Sequence, residues 1–273
     1  MSGTLYIIGT PIGNMEDITL RQLRMLEEVD FICAEDTRVT LKLLNRYEIK
    51  NELVSFHEHS SRAEAQHIID RLLSGQSCGV VTDAGMPCIS DPGEVLVKLA
   101  YENGVDVRAV PGPAAVTTAA ALSGLHVGRF TFEGFLPVGK KERSERLDLI
   151  RSETGVMIFY EAPHKLRATL SDLAEAFGGD RRISLCREIT KLHEETLRMT
   201  IAEAQAYYRE NEPRGEYVLV VEGMSTEAEQ LTIEEALAQV KKLIDMGEKP
   251  TDACKAVAKE TGFKKGELYS ALQ

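Results

Sequence analysis

Three glycine-bearing turns in the first half of the chain hold the residue types that small-ligand chemistry would need. They are Gly9-Thr10-Pro11-Ile12-Gly13 after the apolar run Leu5–Ile8, Asp83-Ala84-Gly85 within VVTDAGMPCISDPG (Val80–Gly93), and Pro111-Gly112-Pro113 within AVPGPAAV (Ala109–Val116). Each follows a predicted strand, where α/β proteins offer backbone N–H and C=O groups to a ligand. The titratable groups fall in two clusters. Glu35, Asp36 and Arg38 follow a second predicted strand, Phe31–Ala34, and Arg187, Glu188 and Lys191 stand together in REITK at the end of another. Glu161 and Glu194 complete the set of groups able to move a proton. A lysine whose pKa is lowered by neighbouring cations, or a carboxylate, could take a proton from a substrate hydroxyl. Lys191 is the first candidate for that role and Glu35 the second, with Arg187 beside Lys191.

Two familiar ligand motifs are excluded. A dinucleotide fold needs G-x-G-x-x-G, its middle glycine admitting the pyrophosphate; Pro11 occupies that position here. A phosphate-binding P-loop needs Gly-Lys-Ser/Thr, and none follows the first turn. His57 and His59, two apart in a loop, are a weak metal signal, and no metal is assigned.

The blocks LYIIGTPIGNMEDIT, TDAGMPCISDPG, VPGPAA, FYEAPHKL and REITKLHEE, in this order, resemble the tetrapyrrole-methylase superfamily of S-adenosylmethionine-dependent enzymes. The resemblance runs from about residue 4 to the C-terminus. Gly9-Thr10-Pro11 and Asp83-Ala84-Gly85 replace the Gly-x-Gly and Gly-Asp-Pro of most branches and resemble the RNA-modifying branch. The resemblance implies S-adenosyl-L-methionine as cofactor and, as substrate, the ribose 2′-hydroxyl of a cytidine in small-subunit ribosomal RNA. It also implies a cofactor site. The methionine and ribose portions would lie near Ile12, Asp83, Ala84, Pro87, Ala114 and Ala115, with Tyr160, Glu161, Cys186 and Tyr217 closing over the adenine. A two-fold homodimer is expected as well, with the alanine-rich segment Ala114–Leu122 near its axis.

The elements that must position these groups follow from pattern. Thr19 with Gln22, and Ser61 with Glu64, have the capping-box spacing that opens a helix. Strands are predicted over 5–8, 31–34, 79–82 and 105–110, alternating with helices, which argues for a mostly parallel sheet covered on both faces. Asp91 is expected to cap a helix with Pro92 at its first position. FTFEGFLP (Phe130–Pro137) reads as an irregular lead-in to a second α/β domain, with helices over 142–151, 163–177 and 201–209. Its strands are predicted over 156–160, 183–187, 197–199 and 217–221, some pairing antiparallel. The expected fold is α/β: two α/β domains of the tetrapyrrole-methylase type, 1–112 and 113–224, with the cofactor cleft between them. A polar linker MSTEAEQ then leads to a small all-helical module, 231–273. Its Ala258-x-x-x-Gly262 spacing, with Leu268 beyond, fits a helix-turn-helix.

Composition sets the remaining bounds. The chain has 273 residues, a net charge of −11 and a pI near 5.2, which counts against coating nucleic acid by bulk charge. Local basic groups remain, at Lys140, Lys141, Arg143 and Arg146, and at Arg181, Arg182 and Arg187. In the tail, seven lysines and seven acids cancel, so it repels RNA less than the rest. Five cysteines without a Cys-x-x-Cys pair argue for a reducing compartment and against a disulfide framework. No apolar run is long enough to span a bilayer, and the N-terminus lacks a signal-peptide pattern. The expected address is the cytoplasm, and the expected partner is ribosomal RNA or the assembled small ribosomal subunit. Two other functions fit less well: a small-molecule methyltransferase acting on a tetrapyrrole, and a non-catalytic S-adenosylmethionine-sensing regulator that binds nucleic acid. The extra tail disfavours the first; the tail's neutrality and the many polar residues around the presumed cleft disfavour the second.

Overall fold

Five short strands, Thr4–Ile8 (β1), Phe31–Ala34 (β2), Leu53–Ser55 (β3), Cys78–Val81 (β4) and Asp106–Val110 (β5), pair all-parallel in the order β3-β2-β4-β1-β5. This is a computed structural model of the chain; it describes residues 2–224, 233–261 and 263–272. Parallel strands need crossovers, and four helices supply them: Leu20–Glu28 (α1), Thr37–Arg46 (α2), Arg62–Leu73 (α3) and Glu94–Glu102 (α4). One face of the sheet buries Leu5, Phe31 and Val80 with Ile68, Ile69 and Leu72 of α3 and Leu96 of α4. The other buries Ile8 and Ile32 with Leu26 of α1 and Leu43 and Leu44 of α2. Both expected capping boxes are present, at Thr19 and at Ser61.

The order of the strands explains why the three turns matter together. β4, β1 and β5 are neighbours and point the same way, so the turns that leave their carboxyl ends emerge side by side.

Ala115–Leu122 (α5) leads to a second, mixed sheet. Its strands are Phe130–Phe135 (β6), Val156–Glu161 (β7), Arg182–Arg187 (β8), Glu195–Thr200 (β9) and Tyr217–Val221 (β10), in the order β6-β7-β10-β8-β9. Only β6 and β7 are parallel; the other pairs are antiparallel. Lys140–Ile150 (α6), Leu166–Phe177 (α7) and Ile201–Glu210 (α8) cover one face, around Met157, Phe159, Leu170 and Leu219. On the opposite face Ala119 and Ala120 of α5 pack against Ile158, Cys186 and Val220. Ala119 and Ala120, two of the alanines in the segment expected near a dimer axis, are therefore buried inside the chain.

Two expected elements differ. Phe130–Phe135 is a strand and not an irregular lead-in: its register shifts between Phe132 and Gly134, where Gly134 has φ +63°, and that bulge breaks the alternation by which a strand is read. Asp91 does not cap a helix. α4 starts at Glu94 behind Gly93, whose φ of +126° turns the chain away from Asp91. In addition, α2, which Asp36 caps by accepting from Arg38 N at 2.8 Å, and the three-residue β3 stand where no element is predicted.

The chain divides into two units, Met1–Gly223 and Met224–Gln273. The second contains Ile233–Asp245 (α9), Pro250–Thr261 (α10) and Lys265–Ala271 (α11), packed around Val240, Cys254, Val257 and Leu268. The turn glycine Gly262, most of the linker after Met224, and Leu231 lie outside the described residues.

Candidate functional site

The first turn is pinned to the other two by its own backbone. Thr10 and Gly85 exchange N–H···O bonds of 2.8 and 3.2 Å, and Thr10 Oγ1 donates to Thr82 O at 3.1 Å. Gly9 N donates to Val110 O at 3.1 Å, while buried Gln22, through Nε2, donates to Gly9 O at 2.5 Å. The same turn reaches the second sheet, where Asn14 N donates to Thr190 Oγ1 at 3.1 Å.

Between the two sheets lies a cavity of about 620 Å³, a size that suits a ligand of cofactor dimensions. The turns contribute Ile12, Ala84, Gly85, Met86 and Ala114–Thr117; the second lobe contributes Phe135, Tyr160–Pro163, Glu188, Ile189, Lys191 and Glu216–Val218. Ile89, Ser90 and Asp91 close the lining. Backbone strain flanks it on both sides, with left-handed φ at Cys88 (69°) and Ser90 (64°), and at Glu188 (50°) and Thr190 (67°). Such conformations persist where packing fixes them and cluster at ligand sites.

Of the residues expected to hold the cofactor, Ile12, Ala84, Ala114, Ala115, Tyr160, Glu161 and Tyr217 fall in the lining; Asp83, Pro87 and Cys186 do not. Strand alternation then separates the second-lobe residues. Tyr160 and Val218 share the α5 face, and the Tyr160 ring stacks edgewise with Phe132 and Phe135, at 4.9 and 5.6 Å. Tyr217 belongs to the opposite face, with its ring 5.9 Å from Tyr208. Glu161 turns the same way: Thr169 Oγ1 and Ala162 N both donate to its carboxylate, the latter at 2.8 Å. Neither side chain shares the α5 face with Tyr160. The Cys186 thiol lies behind α5, 3.8 Å from Ala119 O, which keeps it out of the cavity.

The expected proton acceptors also change. Lys191 does line the cavity, but its neighbours are carboxylates: Nζ is 2.9 Å from Glu188 Oε1 and 2.7 Å from Glu216 Oε2. Although burial opposes it, those hydrogen bonds raise its pKa and favour the ammonium over the free base. Arg187 pairs with Glu195 at 3.2 Å, off the lining. Glu35 accepts from Asp83 N at 3.3 Å one strand away from the cavity, because β2 is the neighbour of β4. Burial raises the pKa of Glu35; the Asp83 N–H opposes the rise and the negative charge of Asp83 adds to it. Burial raises Asp83 too, against the hydrogen bond its Oδ1 accepts from Asp36 N at 3.2 Å; the charge of Asp36 adds to the rise and that of Arg38 opposes it. The basic groups are largely spent within the chain: Arg143 on Asp172 and Thr169, Arg146 on Glu133, and Arg181 on Glu222 O.

Sequence reasoning misses Asp91, Phe135 and Glu216. Asp91 has the pattern of a helix cap, Phe135 lies in a segment without strand alternation, and Glu216 meets Lys191 only through the β8–β10 pairing. The acids whose side chains remain for the cavity are Asp91, Glu188 and Glu216, against the single ammonium of Lys191. An apolar cleft of that polarity suits a cationic ligand and disfavours a phosphate.

A parallel sheet, a mixed sheet and a cleft between them make a two-lobed α/β protein, and the chain belongs to the Tetrapyrrole (Corrin/Porphyrin) Methylases, matching that family over residues 4–205. Within it the chain is similar to the protein named ribosomal RNA small subunit methyltransferase I of Halalkalibacterium halodurans. The two are 44% identical over 272 residues, 98% of this chain and 94% of that one. The protein of the same name from Thermotoga maritima is 47% identical over 221 residues, 81% of this chain and 99% of that one. Among solved structures, uroporphyrin-III C-methyltransferase from Thermus thermophilus, complexed with S-adenyl homocysteine, superimposes with a TM-score of 0.55 at 15% identity. That match covers 81% of this chain and 97% of that one.

Proposed function

We propose that the chain transfers a methyl group from S-adenosyl-L-methionine to the ribose 2′-hydroxyl of a cytidine in small-subunit ribosomal RNA. The observation that carries this reading is the near full-length similarity to proteins named ribosomal RNA small subunit methyltransferase I. The cleft supports the cofactor independently: its surplus of carboxylates and its apolar walls suit a sulfonium that also bears an ammonium group. When bound, S-adenosylmethionine supplies an electrophilic methyl group on sulfur. Ile12, Ala84, Ala114 and Ala115 would shape the pocket for it, with Asp83 bracing the second turn from outside. Tyr160 would form the floor of its aromatic end, and the Lys191–Glu188–Glu216 triad would hold the REITK loop against the first turn.

The RNA would enter beside Phe135, which is 58% exposed at the cavity and stacked edgewise on Tyr160. A ribose can be reached only when its nucleotide leaves the stack, and an aromatic face compensates an unstacked base by roughly 1–3 kcal/mol. Phe135→Ala is therefore expected to raise KM for the ribosomal substrate about tenfold while leaving S-adenosylmethionine affinity intact. Steady-state kinetics with each substrate varied would check this; an unchanged KM would remove Phe135 from substrate binding.

The helical unit would add phosphate contacts through Lys255, Lys259, Lys264 and Lys265; Lys255, Lys264 and Lys265 are exposed, and the Lys259 side chain lies outside what the structure describes. Deleting the chain after Gly223 should preserve S-adenosylmethionine affinity and lower methylation of small subunits roughly tenfold. It should also flatten the salt dependence by about 0.7–0.9 log units for each phosphate no longer neutralised. Full-rate methylation by the folded truncated chain would make the unit a structural cap.

The same reading carries a cytoplasmic homodimer, the commonest closed assembly. With Ala119 and Ala120 buried, a partner would meet the exposed side of α5 at Thr117 and Ala121. The direct test offers labelled S-adenosylmethionine with small ribosomal subunits, free ribosomal RNA or a uroporphyrinogen in parallel. Label entering the ribosomal substrates is the expected result, and label entering only the tetrapyrrole would overturn the assignment.

A further inference from the structure

Asp91 lines the cavity, where its carboxylate adds negative charge but is held by no partner among the described residues. Its turn is closely determined. Cys88 and Ser90 are left-handed, and a Cβ on Gly93 would come 2.8 Å from Cys88 Sγ, so the loop has little room to relax. Across the second lobe, Gly134 presses on the same turn: a Cβ there would lie 3.2 Å from Ser90 Oγ. This loop gives up the helix cap and directs Asp91 toward the cleft.

Asp91 is half-buried, and among the described residues its carboxylate accepts no hydrogen bond and pairs with no cation. The titratable groups that face it are Glu35 from the end of β2, Asp83 from the end of β4, Cys88 on its own turn and Tyr160 from β7. None of them carries positive charge. Leaving a buried carboxylate uncompensated costs stability, and such groups concentrate where they are used.

We propose that Asp91 is the proton acceptor for the hydroxyl that receives the methyl group, a role that rests on the methyltransferase reading above. The hydroxyl oxygen forms its bond to the methyl carbon as the carbon–sulfur bond breaks. The hydroxyl proton passes to an Asp91 carboxylate oxygen, and the electron pair of the broken bond stays on sulfur, which departs as an uncharged thioether. Burial, then the charges of Glu35 and Asp83, pushes the Asp91 pKa up to about 6. The group is thus ionised at neutral pH yet more basic than an ordinary aspartate. Glu35 and Asp83, which lie outside the lining, act as positioning residues that set this basicity.

The test uses the full chain. Asp91→Asn is expected to lower methyl transfer to small ribosomal subunits by about 10²–10⁴-fold and to erase the acid limb of the rate profile near pH 6, while S-adenosylmethionine affinity by calorimetry falls by less than about tenfold, the share of one carboxylate in the charge of the cleft. Asp91→Glu should recover part of the rate, and Glu35→Gln should move the limb to lower pH. Carbon-13 NMR of aspartate-labelled, unliganded protein should show one carboxyl titrating near pH 6 that is absent from Asp91→Asn. Full-rate transfer by Asp91→Asn, a fall in its S-adenosylmethionine affinity as large as the fall in rate, or no carboxyl titrating in that range would overturn the proposal. Failure of the wild-type chain to methylate any ribosomal substrate would instead overturn the ribosomal reading, and the carboxyl titration still decides Asp91.

Discussion

Replacing Gly9 with alanine should cost about 1–3 kcal/mol of stability and weaken S-adenosylmethionine binding roughly tenfold or more. A Cβ at Gly9 would come within 2.8 Å of both Gly112 Cα and Met86 Sδ, and 2.9 Å from Gly112 N. Two of those three atoms are backbone, so no rotamer change relieves the clash. Gly112 is equally confined, since its Cβ would meet Gln22 Nε2 at 2.2 Å and Gly9 Cα at 3.1 Å. All three turns thus close-pack on Gly9, and spreading them apart would reshape the cavity wall at Met86 and Ala114. Urea unfolding combined with calorimetry measures both effects. Wild-type stability and affinity in Gly9→Ala would mean that the junction of the turns does not shape the site.

Glu161→Ala should destabilise the fold by about 2–4 kcal/mol, through the donors it leaves unsatisfied. Glu161 is 4% exposed, and its carboxylate is the acceptor for Thr169 Oγ1 and Ala162 N. Arg143 Nη2 donates to Thr169 Oγ1 at 2.7 Å, so the network ties α6 and α7 to the end of β7. Cofactor affinity should fall less than stability, because the carboxylate faces α7 and not the cleft. Denaturant midpoints at constant slope, read beside binding isotherms, separate the two. A stable Glu161→Ala variant without any cofactor binding would restore Glu161 as a direct ligand contact.

Much of the first lobe can be read locally. The capping boxes at Thr19 and Ser61 and the apolar runs of β1, β2, β4 and β5 depend on residues close in sequence, and the three turns are recognisable by their glycines. What cannot be read depends on partners brought together by the sheets. The pairing of Lys191 with Glu216 reverses the pKa expected from its cationic neighbours in REITK. The β2–β4 adjacency sets Glu35 beside Asp83, but away from the lining. Alternation on β7 and β10 turns Glu161 and Tyr217 out of the cleft, which a motif match cannot register. The bulge at Gly134 hides a strand, and with it Phe135. The positive φ of Gly93 frees Asp91 from the cap it was expected to form.

The most direct measurement follows the methyl group. Small ribosomal subunits are incubated with the chain and S-adenosylmethionine labelled in its methyl group, and the RNA is then hydrolysed in alkali. Alkaline cleavage uses the 2′-hydroxyl as nucleophile, so a methylated ribose protects its own phosphodiester bond. Label is expected in a single alkali-resistant dinucleotide whose first residue is cytidine. Label released with ordinary mononucleotides would place the methyl group on a base, and label absent from the RNA would deny the substrate; either result would contradict ribose methylation by this chain.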